Sequence, residues 1–391
     1  GLPSPEHLSR TADMGRSMLH RMSLFDELDN PLWIDHLHEQ GFFRTPPGSI
    51  EDYVPGASGS PPWPDSKYLA KMAGVDPFAV HRVAMAIPDT DNPLVHEDLA
   101  DAALALPPDL AADFARRASS WLTVSVNNAG LPKKLGSLLS HLAKAGHGAE
   151  ALELAGTLLE LHAQPGPFRG AALEEGLLPT PQPEPRYGSW DLDEILKQNM
   201  PDVVRAVQLQ AFELLASVLE QALELSREGL ETSGPPWDGS YLWRPNIGDD
   251  ARNLDRTVRN SLVSALRDAG ELIARENPGV LGDLVASLDA RGWAIFRRIS
   301  LHLLWVFRQD SPQLVAAALS DRKLLEDPHT AREYLLLAHQ LFDAMDEPAR
   351  AQLLGWLQEG PDLARWDGVP ERWAADQADE QAAATYSRWW V

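Results

Sequence analysis

Apolar residues recur at steps of three and four along most of the chain, which is the spacing of one face of an α-helix. The alternation typical of strands is hard to find; Leu122–Val126 comes nearest, and we expect this run to finish a helix beginning near Asp109. The clearest helical sets are Val95, Leu99, Ala102 and Leu106; Val207, Ala211, Leu214 and Val218; Leu254, Val258, Leu262, Leu266 and Ile273; and Tyr334, Ala338, Leu341 and Met345. The pattern predicts an all-α protein.

Seven helix starts are marked by a capping residue directly before a proline. Ser, Asn and Asp side chains accept hydrogen bonds from the free N–H groups of a first turn, and proline fits the first helical position. The pairs are Ser4-Pro5, Asn30-Pro31, Asp76-Pro77, Asn92-Pro93, Asn277-Pro278, Ser311-Pro312 and Asp327-Pro328. Separately started helices without the fixed period of tetratricopeptide or ankyrin arrays predict an irregular HEAT-like helical-repeat solenoid.

One helical segment, Trp293 to Phe307, is apolar on nearly every side. Such a helix is buried by neighbours on both flanks, which predicts a central layer. The segment also contains Arg297, Arg298 and His302. These side chains either pair with buried acids or line a groove, and the cost of burying an unpaired charge favours pairing.

Three segments rich in Pro and Gly interrupt the helical pattern: Gly41–Pro64, Gln164–Trp190 and Glu231–Gly248. We expect residues 164–190 to form a Pro-rich surface connection between an N-terminal helical array, residues 1–163, and a C-terminal array, residues 191–391. Two of the loops also resemble each other, because Pro61–Leu69 and Pro235–Leu242 both run from two prolines and a tryptophan to Asp, Ser, Tyr and Leu. This similarity, which we call the echo, has two explanations: duplication of one half of the chain, or chance likeness between two Pro-rich loops.

The composition narrows the class of partner. The 391 residues include 57 acidic and 34 basic side chains, giving a formal charge of −23, which disfavours nucleic acid and anionic membrane. The absence of cysteine excludes disulfides and thiolate chemistry. Without a charged-then-apolar leader, and with no apolar run of the ~20 residues that a bilayer span needs, we expect a cytoplasmic protein. The initial Gly1 and the apolar end Arg388–Val391 lead us to expect a fragment of a longer polypeptide.

Motifs that carry chemistry are incomplete. A helical zinc site needs a second histidine four residues after the first, but Phe42 and Ala100 stand four residues after His38 and His96. We expect both histidines on solvated helix surfaces. No P-loop or dinucleotide-binding glycine pattern occurs. We therefore expect no enzyme activity and assign no catalytic residue, metal or cofactor.

The candidate partner-binding residues are a group of arginines beside a loop tryptophan. Arginine side chains can bind phosphate groups or acidic peptides, since a guanidinium forms paired hydrogen bonds to such groups. Local ion pairs with Asp249 and Asp255 are the alternative. Loop tryptophans suit protein recognition, but they can equally fold back as plugs; Trp63 and Trp237 share this ambiguity. The candidates are Trp243, Arg244, Arg252, Arg256 and Arg259.

A family resemblance is carried by four stretches: Ser240–Asp250, Leu262–Ala269, Trp293–Leu304 and Arg332–Leu337. They resemble segments in the long helical region of large bacterial STAND-like ATP-binding proteins, some of which act in antiviral defence. The likeness covers mainly residues 236–366, with a weaker echo over residues 63–106. It implies a sensing or scaffolding region, and it assigns no catalytic residue and no ATPase activity because the nucleotide-binding motifs of such proteins are missing from this chain.

These observations predict a non-catalytic binding or scaffold module, the protein-recognition part of a larger cytoplasmic ATPase. Its partner would be another protein or the rest of a longer polypeptide. Two alternatives stay open: an enzyme with an unrecognised helical active site acting on a phosphorylated small molecule, and nucleic-acid binding through the local arginine stripe. An enclosed pocket with His and carboxylate groups of shifted pKa would favour the enzyme, and an open groove with Trp and Arg would favour binding.

Overall fold

The computed structural model describes residues 18–48, 60–124, 130–164, 182–226, 238–250, 253, 257–327 and 329–360. Within these ranges the chain forms 19 α-helices and one two-stranded sheet, which confirms the all-α prediction. The helices are α1 (Met18–Glu27), α2 (Ile34–Glu39), α3 (Pro64–Met72), α4 (Pro77–Met85), α5 (Pro93–Ala105), α6 (Pro108–Val124), α7 (Leu131–Lys144), α8 (Gly148–Leu158), α9 (Ser189–Gln198), α10 (Met200–Val207), α11 (Leu209–Leu225), α12 (Ser240–Trp243), α13 (Val258–Glu276), α14 (Leu281–Asp289), α15 (Ala294–Val306), α16 (Pro312–Leu319), α17 (Arg322–Glu326), α18 (Ala331–Leu341) and α19 (Glu347–Glu359).

The predicted helix starts are confirmed where a described helix follows the cap directly. The side chains of Asp76 and Asn92 accept hydrogen bonds from first-turn N–H groups at 3.1 and 3.0 Å, and Asn30 does the same at 3.1 Å for a 3-10 helix, Pro31–Trp33, that leads into α2. Ser311 precedes α16, and Asn277 precedes a 3-10 helix, Pro278–Val280, that leads into α14; neither forms a side-chain capping bond. Two pairs lie wholly or partly outside the described residues: Ser4-Pro5 and Asp327-Pro328.

The contacts divide the chain into two units. The first unit comprises residues 1–231 and 255–273, and the second comprises residues 232–254 and 274–391. Helices α9 and α10, which follow the Pro-rich segment, pack on α7 and therefore belong to the first unit. The division into two helical arrays, residues 1–163 and 191–391, with a connection at residues 164–190, stays a prediction.

Helices of the first unit stack in two layers. In one layer α1, α3, α5 and α7 each contact the next, and in the other α2, α4, α6 and α8 do the same. Neighbours along the chain, such as α5 and α6 or α7 and α8, pack across the two layers. The stripe of Val95, Leu99 and Ala102 on α5 is almost wholly buried, as its helical spacing predicted.

Two predicted helical stripes are interrupted. Met345 was expected on the same helix as Tyr334, Ala338 and Leu341, but α18 ends at Leu341 and Met345 has an extended backbone. We expected Val207 and Ala211 to lie on the same helix, but α10 ends at Val207 and α11 begins at Leu209. Gln208 between them has φ 37°, and a residue with positive φ cannot continue a right-handed helix. The expectation of one continuous helix is therefore wrong.

The Pro-rich segment contributes a strand that the sequence analysis did not predict. Strand β1 (Leu161–Gln164) pairs antiparallel with β2 (Gln182–Pro185), and residues 165–181 lie outside the described part. Since N–H groups alternate between the two edges of a strand, prolines at positions 183 and 185 remove them from one edge only. The other edge keeps its donors, so alternating prolines are compatible with pairing.

A buried carboxyl braces an unusual turn near the start of the first unit. Phe43 has φ 66°, a left-handed conformation that is uncommon for a bulky residue. Asp65, which is fully buried, accepts a hydrogen bond from the Phe43 N–H at 3.2 Å and forms an ion pair with Arg21. Burial raises the pKa of Asp65, although Arg21 acts in the opposite direction.

One expected surface histidine lies in the core. His96 is 1% exposed, stacks on Trp121 with ring centroids 5.3 Å apart, and contacts the Thr90 carbonyl through Nε2 at 2.9 Å. Burial lowers its pKa to about 4, against a usual 6.5. The expectation of a solvated histidine is therefore wrong, because α6 supplies a ring that covers this face of α5.

Helix α15 is the most deeply packed element of the second unit, as its all-round apolar sequence predicted. It packs against α14, α16 and α18. Arg298 on α15 is 1% exposed and donates two hydrogen bonds to Glu333 of α18, at 3.0 and 2.8 Å. This pair confirms that an arginine in the segment meets a buried acid. In the described part of the chain, no helix is long and apolar enough to cross a membrane.

Candidate functional site

Two of the predicted contact residues, Trp243 and Arg244, close a loop of the second unit. The Trp243 indole is partly buried and donates a hydrogen bond to the Asp238 carbonyl at 2.8 Å. Arg244 is 2% exposed and donates to the carbonyls of Asn246 and Ile247 at 2.9 and 2.8 Å. The expected exposure of Arg244 is therefore corrected, because its guanidinium satisfies loop carbonyls inside the fold.

The remaining candidates do not form a described surface. Arg259 lies in the first turn of α13, partly buried, and belongs to the first unit. Arg252 and Arg256 lie outside the described residues, as does Trp237. Trp63 is 4% exposed, so this loop tryptophan folds back into the core. The arginine stripe stays a prediction.

The second unit contains a cleft that the sequence analysis did not predict. We call it the second-unit cleft. Its outer part, of about 610 Å³, runs from Asp238 past the α14–α15 turn to His329. Its inner part, of about 230 Å³, lies among α14, α15 and α16. Four residues line both parts: Asp289, Arg297, Asp321 and Leu324.

The inner part of the cleft is mainly apolar. Val285, Leu301, Leu304, Leu314 and Ala317 contribute side chains to it. These residues come from three helices whose opposite faces are packed in the core, so the walls are held by the fold. Such a surface removes an apolar side chain of a ligand from water.

Charged groups surround the junction of the two parts. Asp289 and Arg297 form an ion pair at 2.7 Å, with side chains 28% and 39% exposed. Burial raises the pKa of Asp289, and this effect outweighs the lowering by Arg297 and by a hydrogen bond with Ser300. Asp321 lines the same junction and caps α17 by accepting the Lys323 N–H at 3.0 Å. The junction therefore carries two carboxylates and one guanidinium.

Asp238 ties the predicted contact loop to the cleft. Its carboxylate accepts the N–H groups of Ser240 at 2.8 Å and Ile295 at 2.7 Å, and its carbonyl accepts the Trp243 indole. The Ile295 bond caps α15 from outside, since Trp293 occupies the N-cap position and has no acceptor side chain. The sequence contains a signal for this capping role. A helix whose N-cap residue is tryptophan lacks a side-chain acceptor of its own, so it needs one from another segment.

The cleft brings apolar, acidic, cationic and aromatic side chains together. Within the described ranges, no three His, Asp or Glu side chains are placed to hold a metal ion. The Tyr241 and His329 rings lie 5.2 Å apart at the outer rim, and the Arg291 guanidinium lies over the Phe296 ring at 5.3 Å. The cleft offers an apolar recess, carboxylates and partly engaged cations.

Comparisons with protein-family models, curated proteins and solved structures find no match to this chain. Its residues and their geometry are therefore the basis for assigning a function.

Proposed function

We propose that the chain is an irregular HEAT-like helical-repeat solenoid that serves as a non-catalytic protein-recognition module. Two layers, each built by contacts between every second helix, support this architecture, because repeat proteins build long binding surfaces in this way. The proposed context is the sensor or scaffold part of a larger cytoplasmic bacterial ATPase of the STAND-like type. The resemblance of Ser240–Asp250 and Trp293–Leu304 to such proteins supports that context.

The observation that carries the proposal is the second-unit cleft, an open recess with an apolar inner part and a charged outer part. Protein contacts combine a buried apolar centre with a polar rim in the same way. Trp293 and two arginines, Arg291 and Arg297, line it, and this combination favours binding over catalysis. The raised pKa of Asp289 has a structural cause, the partial burial of its carboxylate, which outweighs the opposite effect of Arg297.

Lys323 allows a specific test, because it lines the cleft. It is also the only lysine in the sequence of the second unit, residues 232–254 and 274–391. The tagged chain would be treated with a short amine-reactive cross-linker in lysate of its source cells, and products would be mapped by mass spectrometry. We expect one or a few proteins joined through Lys323, with this link lost in Lys323→Arg.

Two results would overturn the proposal. One is retention of no protein above a bead control. The other is turnover of a phosphorylated compound by the purified chain, which would favour the enzyme alternative. Retention of nucleic acid by the tagged chain in place of protein, with affinity falling steeply as salt rises, would favour the arginine-stripe alternative.

A further inference from the structure

We propose that the second-unit cleft binds a partner segment in which a large apolar side chain stands close to a lysine or arginine. This inference rests on the proposed recognition function and gives it a ligand chemistry. The apolar side chain would enter the inner part of the cleft, and the cation would lie at the junction beside Asp289 and Asp321.

The inner part sets the apolar half of the motif. Its volume of about 230 Å³ suits one large side chain and is too small for a folded element. Leu314 and Ala317 of α16 supply accessible apolar surface, and they are backed by Leu301 and Leu304 of α15, which are 1% and 2% exposed. Anchors that fill such pockets carry much of the energy of protein interfaces.

The junction sets the charged half. Two carboxylates, Asp289 and Asp321, line the junction together with one guanidinium, Arg297, which already pairs with Asp289 at 2.7 Å. An ionised carboxylate can accept about four hydrogen bonds. Asp321 accepts the Lys323 N–H, which leaves acceptor capacity for a ligand cation. A ligand cation here would gain electrostatic attraction at close range.

The rest of the chain favours the same sign of charge. Its formal charge of −23 attracts basic segments at long range and raises their association rate. An acidic or phosphorylated segment would instead need cations turned toward the ligand. Among the described residues, three cations line the cleft, of which Arg297 pairs with Asp289 and Arg291 lies over the Phe296 ring; together with Lys323 they are outnumbered by the four lining aspartates, Asp238, Asp289, Asp321 and Asp327. A basic and apolar segment is therefore the better match.

The experiment is selection of random peptides displayed on phage against the intact chain, followed by fluorescence anisotropy with the enriched peptides. We expect enriched sequences to share an apolar residue within a few positions of Lys or Arg. Replacing either residue of the peptide by alanine should weaken binding about tenfold or more, as for other anchor residues.

Two matched pairs of protein variants locate the site. Ala317 lines the inner part and Ala316, its neighbour on α16, does not, although both are exposed. Leucine forms helices nearly as well as alanine, so both changes should fold. Ala317→Leu should weaken peptide binding about tenfold by filling the recess. Ala316→Leu should leave binding within about twofold, the usual range for a surface change.

The charge pair follows the same logic. Asp289→Asn with Asp321→Asn removes two charges from the junction, and asparagine retains the capping ability of Asp321. Asp283→Asn with Asp310→Asn removes two charges from exposed positions outside the cleft. We expect the first double variant to weaken binding about tenfold and to reduce its salt dependence, and the second to change affinity about twofold at most.

The outcomes separate the ligand chemistry from the recognition function. Enrichment of acidic or purely apolar peptides would overturn the proposed motif, as would equal effects of Ala317→Leu and Ala316→Leu. If selection enriches nothing while Lys323 still cross-links to a cellular protein, the motif is wrong and the recognition function stands. If both experiments fail, both proposals fall.

Discussion

The buried pair between Arg298 and Glu333 gives the sharpest test of how α15 is held beneath the cleft. The two side chains are 1% and 3% exposed, and two hydrogen bonds join them. In the variant Arg298→Met, a buried carboxylate loses its counter-charge and both donors. Breaking one side of such a pair costs about 3–5 kcal/mol, a large share of the margin of a domain.

A double variant distinguishes the pair from simple packing loss. Arg298→Met combined with Glu333→Leu replaces two desolvated charges by apolar side chains, and such exchanges are often neutral or stabilising. We therefore expect the double variant to recover most of the stability lost in either single variant. Arg350→Met is the control, since the Arg350–Glu347 pair is 3.9 Å apart with its acid 94% exposed, and surface pairs contribute about 1 kcal/mol or less.

Hydrogen exchange measured by mass spectrometry is the appropriate assay, because a chain of two units need not unfold in one step. Peptides from α15 and α18 report the local opening directly. A loss of about 3–5 kcal/mol corresponds to exchange about a hundredfold to a thousandfold faster or more in Arg298→Met. A single variant that costs under about 1 kcal/mol, or a double variant as unstable as the summed singles, would refute the reasoning.

Three further predictions concern the first unit. NMR titration of His96 should give a midpoint of about 4. Because the pKa of His96 is lower in the folded state than in the unfolded state, the free energy of unfolding should be unaffected by this group above pH 6.5 and should fall by about 3 kcal/mol as the pH drops to 4. Thermal unfolding of Asp65→Asn should show a loss of about 2–3 kcal/mol, against about 1 or less for Asp35→Asn in an exposed ion pair. Gly148→Ala places a Cβ 2.5 Å from Val207 Cγ1, so urea unfolding should show a loss of about 1–3 kcal/mol, and an unchanged midpoint would contradict this close approach.

The helices could be predicted because their signals are local. Caps such as Asp76 act within one turn, and stripes such as that on α5 depend on residues three and four apart. The break at Gln208 carries no comparable signal, since glutamine has no preference for positive φ. The pairing of residues 161–164 with residues 182–185 depends on an antiparallel partner across a long connection, and apolar periodicity does not report it.

The cleft could be predicted only in part, for a geometric reason. Arg297 and Arg298 are adjacent in sequence, but successive residues of a helix point about 100° apart. Arg297 consequently lines the cleft while Arg298 faces Glu333 in the core. The sequence favours ion pairing for the group as a whole and does not distinguish Arg297 from Arg298, because the role of each depends on which neighbours the helix meets. Asp289 and Asp321 carried no signal at all in a chain this acidic.

The echo between Pro61–Leu69 and Pro235–Leu242 gains meaning from the roles of its polar residues. Asp65 is fully buried and accepts the N–H of Phe43, while Asp238 is 9% exposed and accepts the N–H of Ile295. In both segments an aspartate near a Pro-Pro-Trp sequence braces the backbone of a distant element, and Ser66 and Ser240 are both fully buried. Residues that merely fill surface loops have no reason to share burial and bonding, so these roles favour a repeated structural device over chance likeness. In the second unit that device holds the start of α15, and through it one wall of the cleft.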